Sequence, residues 1–361
     1  MQRTGRLEGG LLPVSVAMAT YNGERFLEEQ LASLAGQTHL PAELVICDDG
    51  STDRTADIVE AFARSAPFAV RFVRNESRLG YAENFLQAAR LCHGETIAFC
   101  DQDDVWLPRK LEVCARRLAE PEVLAVVHDA RIVDAALRPS GRFLRTGRKP
   151  WVRRARFPDT GTQWGQGTQG FRIVFHRAIL PAPDVGRPPD ANAPDQPMTH
   201  DEWVHWRALW LGTVVFLREP LALYRQHEAN VAGAPRTLTV GRLARGALTS
   251  DYRQQAQLAR QYVDYLAGPG GEFPAAAFAI RFYQELARML DHRAAVYEAM
   301  AAGQSRWQAI ARFLGLALRG AYLRTSRPRF GLVALAKDLI FASLGQGAIE
   351  RAASDQARAT R

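Results

Sequence analysis

The stretch GETIAFCDQDDVWLPRKL (residues 94–111) decides the fold, because it joins an apolar run to a cluster of acidic residues. The run Thr96–Cys100 is short and apolar, and such a run predicts a buried strand. The carboxylates of Asp101, Asp103 and Asp104 follow it directly. The stretch therefore predicts a buried strand whose carboxyl end is strongly negative.

Apolar runs and amphipathic segments alternate on both sides of this stretch. Upstream, the pattern predicts strands at 13–19, 43–47 and 70–73 and helices at 24–34, 53–64 and 81–91. Downstream, a helix follows Pro108 and a strand is predicted at 123–127. This alternation predicts an α/β fold with a mostly parallel central sheet and helices on both faces.

Another acidic loop, upstream of this stretch, is expected at the edge of that sheet where ligands bind in parallel α/β folds. The loop is CDDGSTD (47–53), in which Gly50 permits a tight turn and Asp53 caps the next helix. Capping alone leaves Asp48 and Asp49 unexplained. A carboxylate here could accept a hydrogen bond from the imide N–H of a nucleobase, and a plain capping turn is the alternative.

The loop that contains Asp101, Asp103 and Asp104 is expected to bind a cation. Asp101, Asp103 and Asp104 repel one another unless a cation lies among them. Mg²⁺ and Mn²⁺ accept carboxylate and phosphate oxygens together. The cluster therefore predicts a site for a metal ion and a diphosphate. The alternative is a solvated acidic turn that caps the helix after Pro108.

Composition and missing motifs exclude several classes of protein. The 361 residues are 47% hydrophobic and 23% charged, which is typical of globular proteins. No GxGxxG follows the first strand and no GxxxxGK[ST] occurs, which argues against dinucleotide oxidoreductases and P-loop NTPases. No uncharged apolar run approaches the roughly 20 residues that cross a bilayer, and no signal peptide is expected at the N-terminus. The cysteines lack metal-site spacing and are predicted to be buried free thiols: Cys47, Cys92, Cys100 and Cys114.

Two later motifs contain groups suited to catalysis. HDEW (200–203) lies where a loop is predicted to enter a helix, so Asp201 is either a helix cap or a general base. YRQH (224–227) follows a short predicted strand at 213–217. Its Arg225 and His227 could meet a diphosphate or a metal ion, although a single histidine is more often an ordinary structural residue.

Taken together, these motifs resemble those of glycosyltransferase family 2. The matching stretches are residues 14–38, 44–53, 74–85 and 94–111, with weaker matches at 168–175, 200–203 and 224–233. The resemblance implies an inverting hexosyl transferase with the GT-A nucleotide-sugar-binding fold in residues 1–235. The DQDDVW, HDEW and YRQH forms look like those of bacterial rhamnosyltransferases, which use dTDP-L-rhamnose to build surface polysaccharides such as O-antigen.

The resemblance also implies a role for individual residues. Asp201 corresponds to the catalytic base, and Asp101 and Asp103 correspond to the family's DxD motif, which holds Mg²⁺ or Mn²⁺. Contacts to the acceptor are expected from Gln169 and Trp203. The residues expected to bind the nucleotide-sugar are Thr20, Tyr21, Asp49, Gly80, Asn84, Asp101, Arg225 and His227.

The implied partners are a nucleotide-sugar donor and a growing glycan held on a polyprenyl diphosphate. A UDP-hexose is the alternative donor. A non-catalytic scaffold that binds sugar nucleotides at the membrane is the alternative function.

The last third of the chain differs in charge from the rest. Residues 1–235 contain 28 basic and 29 acidic side chains, whereas residues 236–361 contain 18 and 9. The spacing of apolar residues predicts an all-α region throughout 236–361. Packing on the catalytic part is one interpretation of this basic region. Contact with an anionic membrane surface is another, and would locate the protein in the cytoplasm at the inner face of the cell membrane. No nucleic-acid partner is expected, because no nucleic-acid-binding motif is present.

Overall fold

The computed structural model describes residues 11–144, 153–155, 169–190, 193, 195–228, 230, 252–272 and 274–320, and the short pieces 334–336, 338–339 and 342–343. The described residues form two compact units. One contains the sheet and the five helices associated with it. The other contains Val185–Met198 and three later helices.

Four parallel strands form one half of the sheet, in the order β3-β2-β1-β4. Their side chains in the middle of the sheet are fully buried, which explains the continuous apolar runs of the sequence. The elements of this half are β1 (Ser15–Thr20), α1 (Leu27–Ala35), β2 (Glu43–Asp48), α2 (Thr55–Ala63), β3 (Ala69–Arg74), α3 (Tyr81–Leu91) and β4 (Thr96–Cys100).

The other half of the sheet is mixed and continues in the order β9-β6-β10-β5. Strands β6 and β10 pair in parallel, whereas β9 is antiparallel to both β4 and β6. Strand β7 pairs with β6, and β8 with β10. The elements are β5 (Val105–Trp106), α4 (Lys110–Leu118), β6 (Val123–Asp134), β7 (Pro139–Phe143), β8 (Arg153–Ala155), β9 (Ile173–His176), α5 (His200–Leu211) and β10 (Thr213–Gln226).

The predicted α/β class, with a mostly parallel sheet and a helical C-terminal region, is confirmed. Strand β4 and helix α3 begin and end where the sequence predicted. Strands β6 and β10 are longer than predicted, since each continues past its apolar first half. Their second halves pair with each other, for example Tyr224 with Ile132, so backbone pairing extends the strands where the apolar pattern fades.

The carboxyl ends of β1, β2, β3 and β4 meet at one edge of the sheet because these strands are parallel. Backbone hydrogen bonds cross this edge beyond the strands, from Asp49 N–H to the Thr20 carbonyl and from Asn75 N–H to the Asp48 carbonyl, each 2.9 Å. Both acidic loops therefore follow the same edge, as predicted.

The second unit contains α6 (Tyr252–Ala267), α7 (Ala276–Ala301) and α8 (Arg306–Leu318). Within it the rings of Tyr262 and Tyr283 stack at 4.9 Å. A buried ion pair joins Arg293 to Asp338 at 2.6 Å, and the Tyr297 hydroxyl donates to the same carboxylate. The predicted helical character is confirmed here, although most of the helix predicted at 330–344 lies outside the described residues.

Two smaller predictions also have outcomes. All four cysteines are buried and free. Burial raises the pKa of the Cys47 thiol to about 11 and that of Cys92 to about 12, so both remain protonated at neutral pH. Within the part of the chain that the structure describes, no helix has the length and apolar character needed to cross a membrane.

Candidate functional site

The Asp48–Asp53 loop uses its acidic side chains to hold the chain in place. Asp48 is fully buried and accepts hydrogen bonds from the Thr20 hydroxyl (2.9 Å), the Ser51 N–H (2.9 Å) and the Ser51 hydroxyl (2.5 Å). Asp53 accepts from the N–H of Thr55, the first residue of α2, but the N-cap position is Arg54, one residue after the predicted cap. Gly50 adopts φ 86°, which fits the predicted tight turn.

Asp49 fixes the loop that leads into α3. Its two oxygens accept the backbone N–H groups of Leu79 (2.7 Å) and Gly80 (2.9 Å), and the Asn75 amide adds a bond of 3.1 Å. Gly80 has φ 80°, where a side chain would be strained. The carboxylate predicted to meet a nucleobase therefore already holds the adjoining backbone.

Asn84 and Thr20 are locked inside this edge. The Asn84 amide donates to the carbonyl of Cys47 at 2.9 Å. Asn84 and Thr20 are each only 1% exposed. Tyr21, by contrast, is 40% exposed, and the Arg78 guanidinium lies over its ring at 4.0 Å. Of the residues predicted to line a nucleotide, Tyr21 has the freest side chain.

The Asp101–Asp104 loop has the opposite electrostatics. Burial, followed by the negative charges of Asp103 and Asp201, raises the pKa of Asp101 to about 8. The backbone N–H of Phe171 donates to this carboxyl and partly offsets the rise. Asp201, predicted from a distant motif, therefore lies close enough to Asp101 for their charges to interact.

Asp104 is completely buried, which rules out the solvated acidic turn as a description of this loop. One of its oxygens accepts the Arg225 N–H at 3.0 Å, whereas Oδ2 has no hydrogen-bond partner among the residues that the structure describes. Burial, followed by the charges of Asp103 and Asp101, raises the pKa of Asp104 well above its usual range. Helix α4 begins at Lys110 without a cap from these carboxylates.

The two YRQH residues contact this loop. The His227 ring nitrogen Nε2 lies 2.9 Å from Asp103 Oδ2, so imidazole and carboxylate form a pair. Arg225 is 1% exposed, and its guanidinium donates to the carbonyls of Asp103 and Ala135 and pairs with Glu29. The donors of Arg225 thus hold the loop, and its contact with a diphosphate stays a prediction.

Asp201 lies in the first turn of α5, with 15% of its side chain exposed. Its Oδ1 accepts the Thr199 hydroxyl (2.5 Å) and the Glu202 N–H (3.0 Å). These bonds fix the orientation of the carboxylate through one oxygen. The N-cap of α5 is Thr199, so the helix-cap interpretation of Asp201 is wrong, and the general-base interpretation stays a prediction.

The predicted acceptor residues are less accessible. Trp203 is completely buried, so its proposed contact with an acceptor does not fit this structure. Its position on the inner face of α5, beside the buried residues Val204 and Ala208, makes it a core residue. The Gln169 side-chain oxygen accepts a hydrogen bond from Arg172 at 2.7 Å.

Two residues of this region were missed by the sequence analysis. Gln102 uses its amide to bond both the N–H (2.9 Å) and the carbonyl (3.0 Å) of Tyr21, which ties the acidic loop to the end of β1. Lys110 is completely buried, donates to the Phe171 carbonyl at 2.6 Å and lies 3.1 Å from the centre of the Trp106 ring. Burial lowers its pKa to about 7.

The position of Lys110 explains how it was missed. Lysine at the start of an amphipathic helix is usually exposed, and only tertiary packing buries it here. The acidic loop a few residues earlier was the available signal, because a buried carboxylate cluster favours a cation nearby.

The chemistry of the donor set fits a divalent cation that is shared with a ligand. Among the residues that the structure describes, no group of three or more His, Cys, Asp or Glu side chains is arranged to hold a metal ion. Mg²⁺, however, is usually bound by one or two carboxylates together with substrate phosphates. Burial, followed by the charges of neighbouring carboxylates, raises the pKa values of Asp101 and Asp104, and a cation among them would favour their charged forms.

The sequence and this site can be compared with known proteins. The family model described as Glycosyl transferase family 2 matches residues 15–180. An uncharacterized glycosyltransferase of Nostoc sp. is 30% identical over 227 residues, which are 61% of this chain and 66% of that protein. The dTDP-rhamnosyl transferase RfbG of Shigella flexneri is 30% identical over 223 residues, which are 60% of this chain and 74% of that protein.

A shorter similarity is to a protein with a different named activity. The UDP-Glc:alpha-D-GlcNAc-diphosphoundecaprenol beta-1,3-glucosyltransferase WfgD of Escherichia coli is 36% identical over 100 residues, which are 28% of this chain and 38% of that protein. The chain thus spans a little under two thirds of the length of the Nostoc relative, and less of this one.

Proposed function

The chain belongs to glycosyltransferase family 2, and from this membership we propose that it transfers L-rhamnose from dTDP-L-rhamnose to a hydroxyl of a growing cell-surface glycan. It is a glycosyltransferase that uses a nucleotide-sugar donor. The identity of the sugar, the need for a metal ion and the roles of individual residues are the parts that we propose.

The convergence of Asp101, Asp103 and Asp201 carries the proposal. The three carboxylates come from the end of β4 and the start of α5, which are far apart in sequence, yet the charges of Asp103 and Asp201 add to burial in raising the pKa of Asp101 to about 8. Such an accumulation of negative charge is costly unless it serves a ligand or a reaction.

In the proposed reaction Asp201 accepts the proton of the acceptor hydroxyl as its oxygen attacks the anomeric carbon. Thr199 and the Glu202 N–H hold one carboxylate oxygen, which leaves the other free of these bonds. A single displacement with one base inverts the anomeric centre and needs no second carboxylate as nucleophile. His227, paired with Asp103, and Arg225 keep the acidic loop in position during this step.

At the nucleotide end, Tyr21 supplies an exposed aromatic face beside Arg78. Asp49 and Asn84 support the wall of this part of the site through the backbone groups that they bind, the N–H of Gly80 and the carbonyl of Cys47. Asp103 and Asp101 would hold Mg²⁺ or Mn²⁺, and such an ion would stabilise the negative charge that develops on the leaving nucleoside diphosphate.

The choice of donor rests on the relatives. The similarity to RfbG, whose name describes dTDP-rhamnosyl transfer, covers more of the chain than the similarity to WfgD. WfgD favours a UDP-glucose donor as the alternative, and its name also describes an acceptor linked to diphosphoundecaprenol. We propose a lipid-linked acceptor of that kind, with catalysis by residues 1–235 at the inner face of the cell membrane.

The test is a panel of thermal unfolding measurements with dTDP-rhamnose, UDP-glucose, UDP-galactose, UDP-N-acetylglucosamine and GDP-mannose, each with and without Mn²⁺. A ligand that binds the folded protein raises the unfolding midpoint by mass action. A metal-dependent rise with dTDP-rhamnose alone supports the proposal. A rise with a UDP-sugar instead would show that the donor is not dTDP-rhamnose. An equal rise with and without Mn²⁺ would show that donor binding does not need the cation.

A further inference from the structure

Helix α8 (Arg306–Leu318) has one face that packs inside the second unit. Ala309 and Phe313 are completely buried, and Leu316 is 9% exposed. The Phe313 ring lies 5.4 Å from that of Tyr297 on α7. Spacings of four and three residues put these three side chains on one side of the helix.

The opposite side of α8 is also apolar, and it is exposed. Trp307 is 79% exposed, Leu314 44% and Leu318 90%, and Ala311 between them is exposed as well. These residues are separated by four, three and four positions, so they form one stripe about half a turn away from the buried face. We refer to Trp307, Ala311, Leu314 and Leu318 as the outer stripe.

Basic side chains border the outer stripe. Arg306, Arg312 and Arg319 are exposed and lie on the helix or at its end. Arg306 donates to the Ser343 carbonyl and Arg312 to the Gln304 amide oxygen, each at 3.2 Å, and these neutral partners do not cancel the charge.

The surrounding sequence adds to this positive charge. Residues 299–337 contain seven basic side chains and no acidic one. A partner of the outer stripe must therefore combine an apolar interior with a negative surface.

We propose that the outer stripe of α8 binds the surface of an anionic lipid bilayer. Leucine side chains would enter the boundary between headgroups and acyl chains, and Trp307 would lie at the level of the headgroups, where tryptophan is favoured. The flanking arginines can extend towards lipid phosphates while their stems cover apolar surface. The inference deepens the proposed function, because it identifies the surface that would bring the enzyme to a lipid-linked acceptor.

The test is co-sedimentation of the full chain with phosphatidylcholine vesicles that contain or lack phosphatidylglycerol. No donor or acceptor is present, so the result is independent of the proposed glycosyl transfer. Wild type should bind the anionic vesicles and lose affinity as salt is added. The double variant Leu314→Gln/Leu318→Gln should bind about tenfold or more weakly, because two exposed leucines no longer enter the bilayer. The triple variant Arg306→Gln/Arg312→Gln/Arg319→Gln should show a similar loss that is largest at low salt.

A matched control uses exposed apolar residues of the sheet unit. Leu40 and Phe143 are each 41% exposed, and the variant Leu40→Gln/Phe143→Gln should bind vesicles as wild type does. Equal binding to vesicles without phosphatidylglycerol, or unchanged binding by the leucine variant, would overturn the proposal. So would a large fall in the unfolding midpoint of the leucine variant, since the stripe would then be covered by this chain itself. A change from dimer to monomer with vesicle binding intact would assign the stripe to a second copy.

Discussion

Two acidic loops follow the same edge of the sheet, and they hold their carboxylates in opposite ways. In the Asp48–Asp53 loop, Asp48 and Asp49 accept three hydrogen bonds each from protein donors. In the Asp101–Asp104 loop, one oxygen of Asp104 has no such partner among the described residues, and burial together with neighbouring charges raises the pKa of Asp101 to about 8.

The difference teaches that an acidic motif alone does not identify a site. Both loops have several aspartates after a buried strand, and both were candidates from sequence. In the first loop, Asp48–Asp53, hydrogen bonds from protein donors stabilise the carboxylates, and these bonds support the structure. The second keeps an electrostatic cost that the folded protein does not relieve, which is typical of a binding or catalytic site.

The strongest way to break this comparison is to change Asp201, whose charge converges on the second loop. Asp201→Asn keeps the shape of the side chain but removes the base, so the rate of sugar transfer should fall by about 10²- to 10⁴-fold. Donor binding should remain, because the metal-binding residues are intact. Glu202→Gln makes the same charge change at the next position of α5 and should retain the wild-type rate. Equal rates for Asp201→Asn and wild type would remove Asp201 from the mechanism.

The second loop can also be tested through the cation that it is proposed to bind. Asp103→Ala should abolish the Mn²⁺-dependent part of donor binding, which at a ligand concentration 100 times the Kd stabilises the fold by about 2.7 kcal/mol. The measurement is the unfolding midpoint with dTDP-rhamnose, with and without Mn²⁺. Asp57→Ala removes an exposed acid from α2 and serves as the control. A full Mn²⁺-dependent shift in Asp103→Ala would show that the loop does not hold the ion.

Lys110 sharpens the comparison because it is the buried cation beside the second loop. Its pKa is about 7 in the folded state and near 10.5 when unfolded, so between these values the unfolded chain binds more protons. The stability of wild type relative to Lys110→Met should therefore rise with pH from about 7 towards 10, by about 3 to 4 kcal/mol. Below pH 7 the lysine is protonated in both states, and the difference should be constant.

Urea unfolding at a series of pH values measures this difference. Arg109→Met replaces the exposed neighbouring cation and should show no such rise, because its charge is solvated in both states. A difference between wild type and Lys110→Met that stays flat from pH 7 to pH 10 would mean that Lys110 remains charged and is paired with the acidic loop. The electrostatic contrast between the two loops would then be lost.

Much of the fold could be predicted from sequence, because each of the four parallel strands is an apolar run, and such a run indicates a buried strand without knowledge of its neighbours. Helix α3 and strand β4 were located correctly for this reason. The second halves of β6 and β10 could not be predicted from sequence, since their strand character depends on pairing with each other. The burial of Lys110, Arg225 and Trp203 likewise depends on neighbours distant in the chain, and no local pattern indicates it.

The candidate site was predicted in part. The motifs identified the acidic residues, and the parallel sheet explains their common edge. The sequence did not distinguish a satisfied carboxylate from an unsatisfied one, because the donors that satisfy Asp49 are the backbone N–H groups of a loop about 30 residues later. The contact between His227 and Asp103, which are more than 120 residues apart in the chain, could not be predicted from sequence either.

The smallest expected effect concerns Asp49, and it tests the first loop. Asp49→Asn keeps one oxygen acceptor and replaces the other by an amide that faces the N–H of Leu79 or Gly80. The loss of one net hydrogen bond should lower the free energy of unfolding by about 1 kcal/mol, and urea unfolding measures it. Asp57→Asn is the control, because its side chain is exposed and its loss of charge should change stability little. If Asp49→Asn lowers donor affinity in proportion to this loss of loop stability, the carboxylate acts by holding the loop. If donor affinity collapses while stability is unchanged, Asp49 binds the nucleobase directly, and the two loops are then both ligand sites.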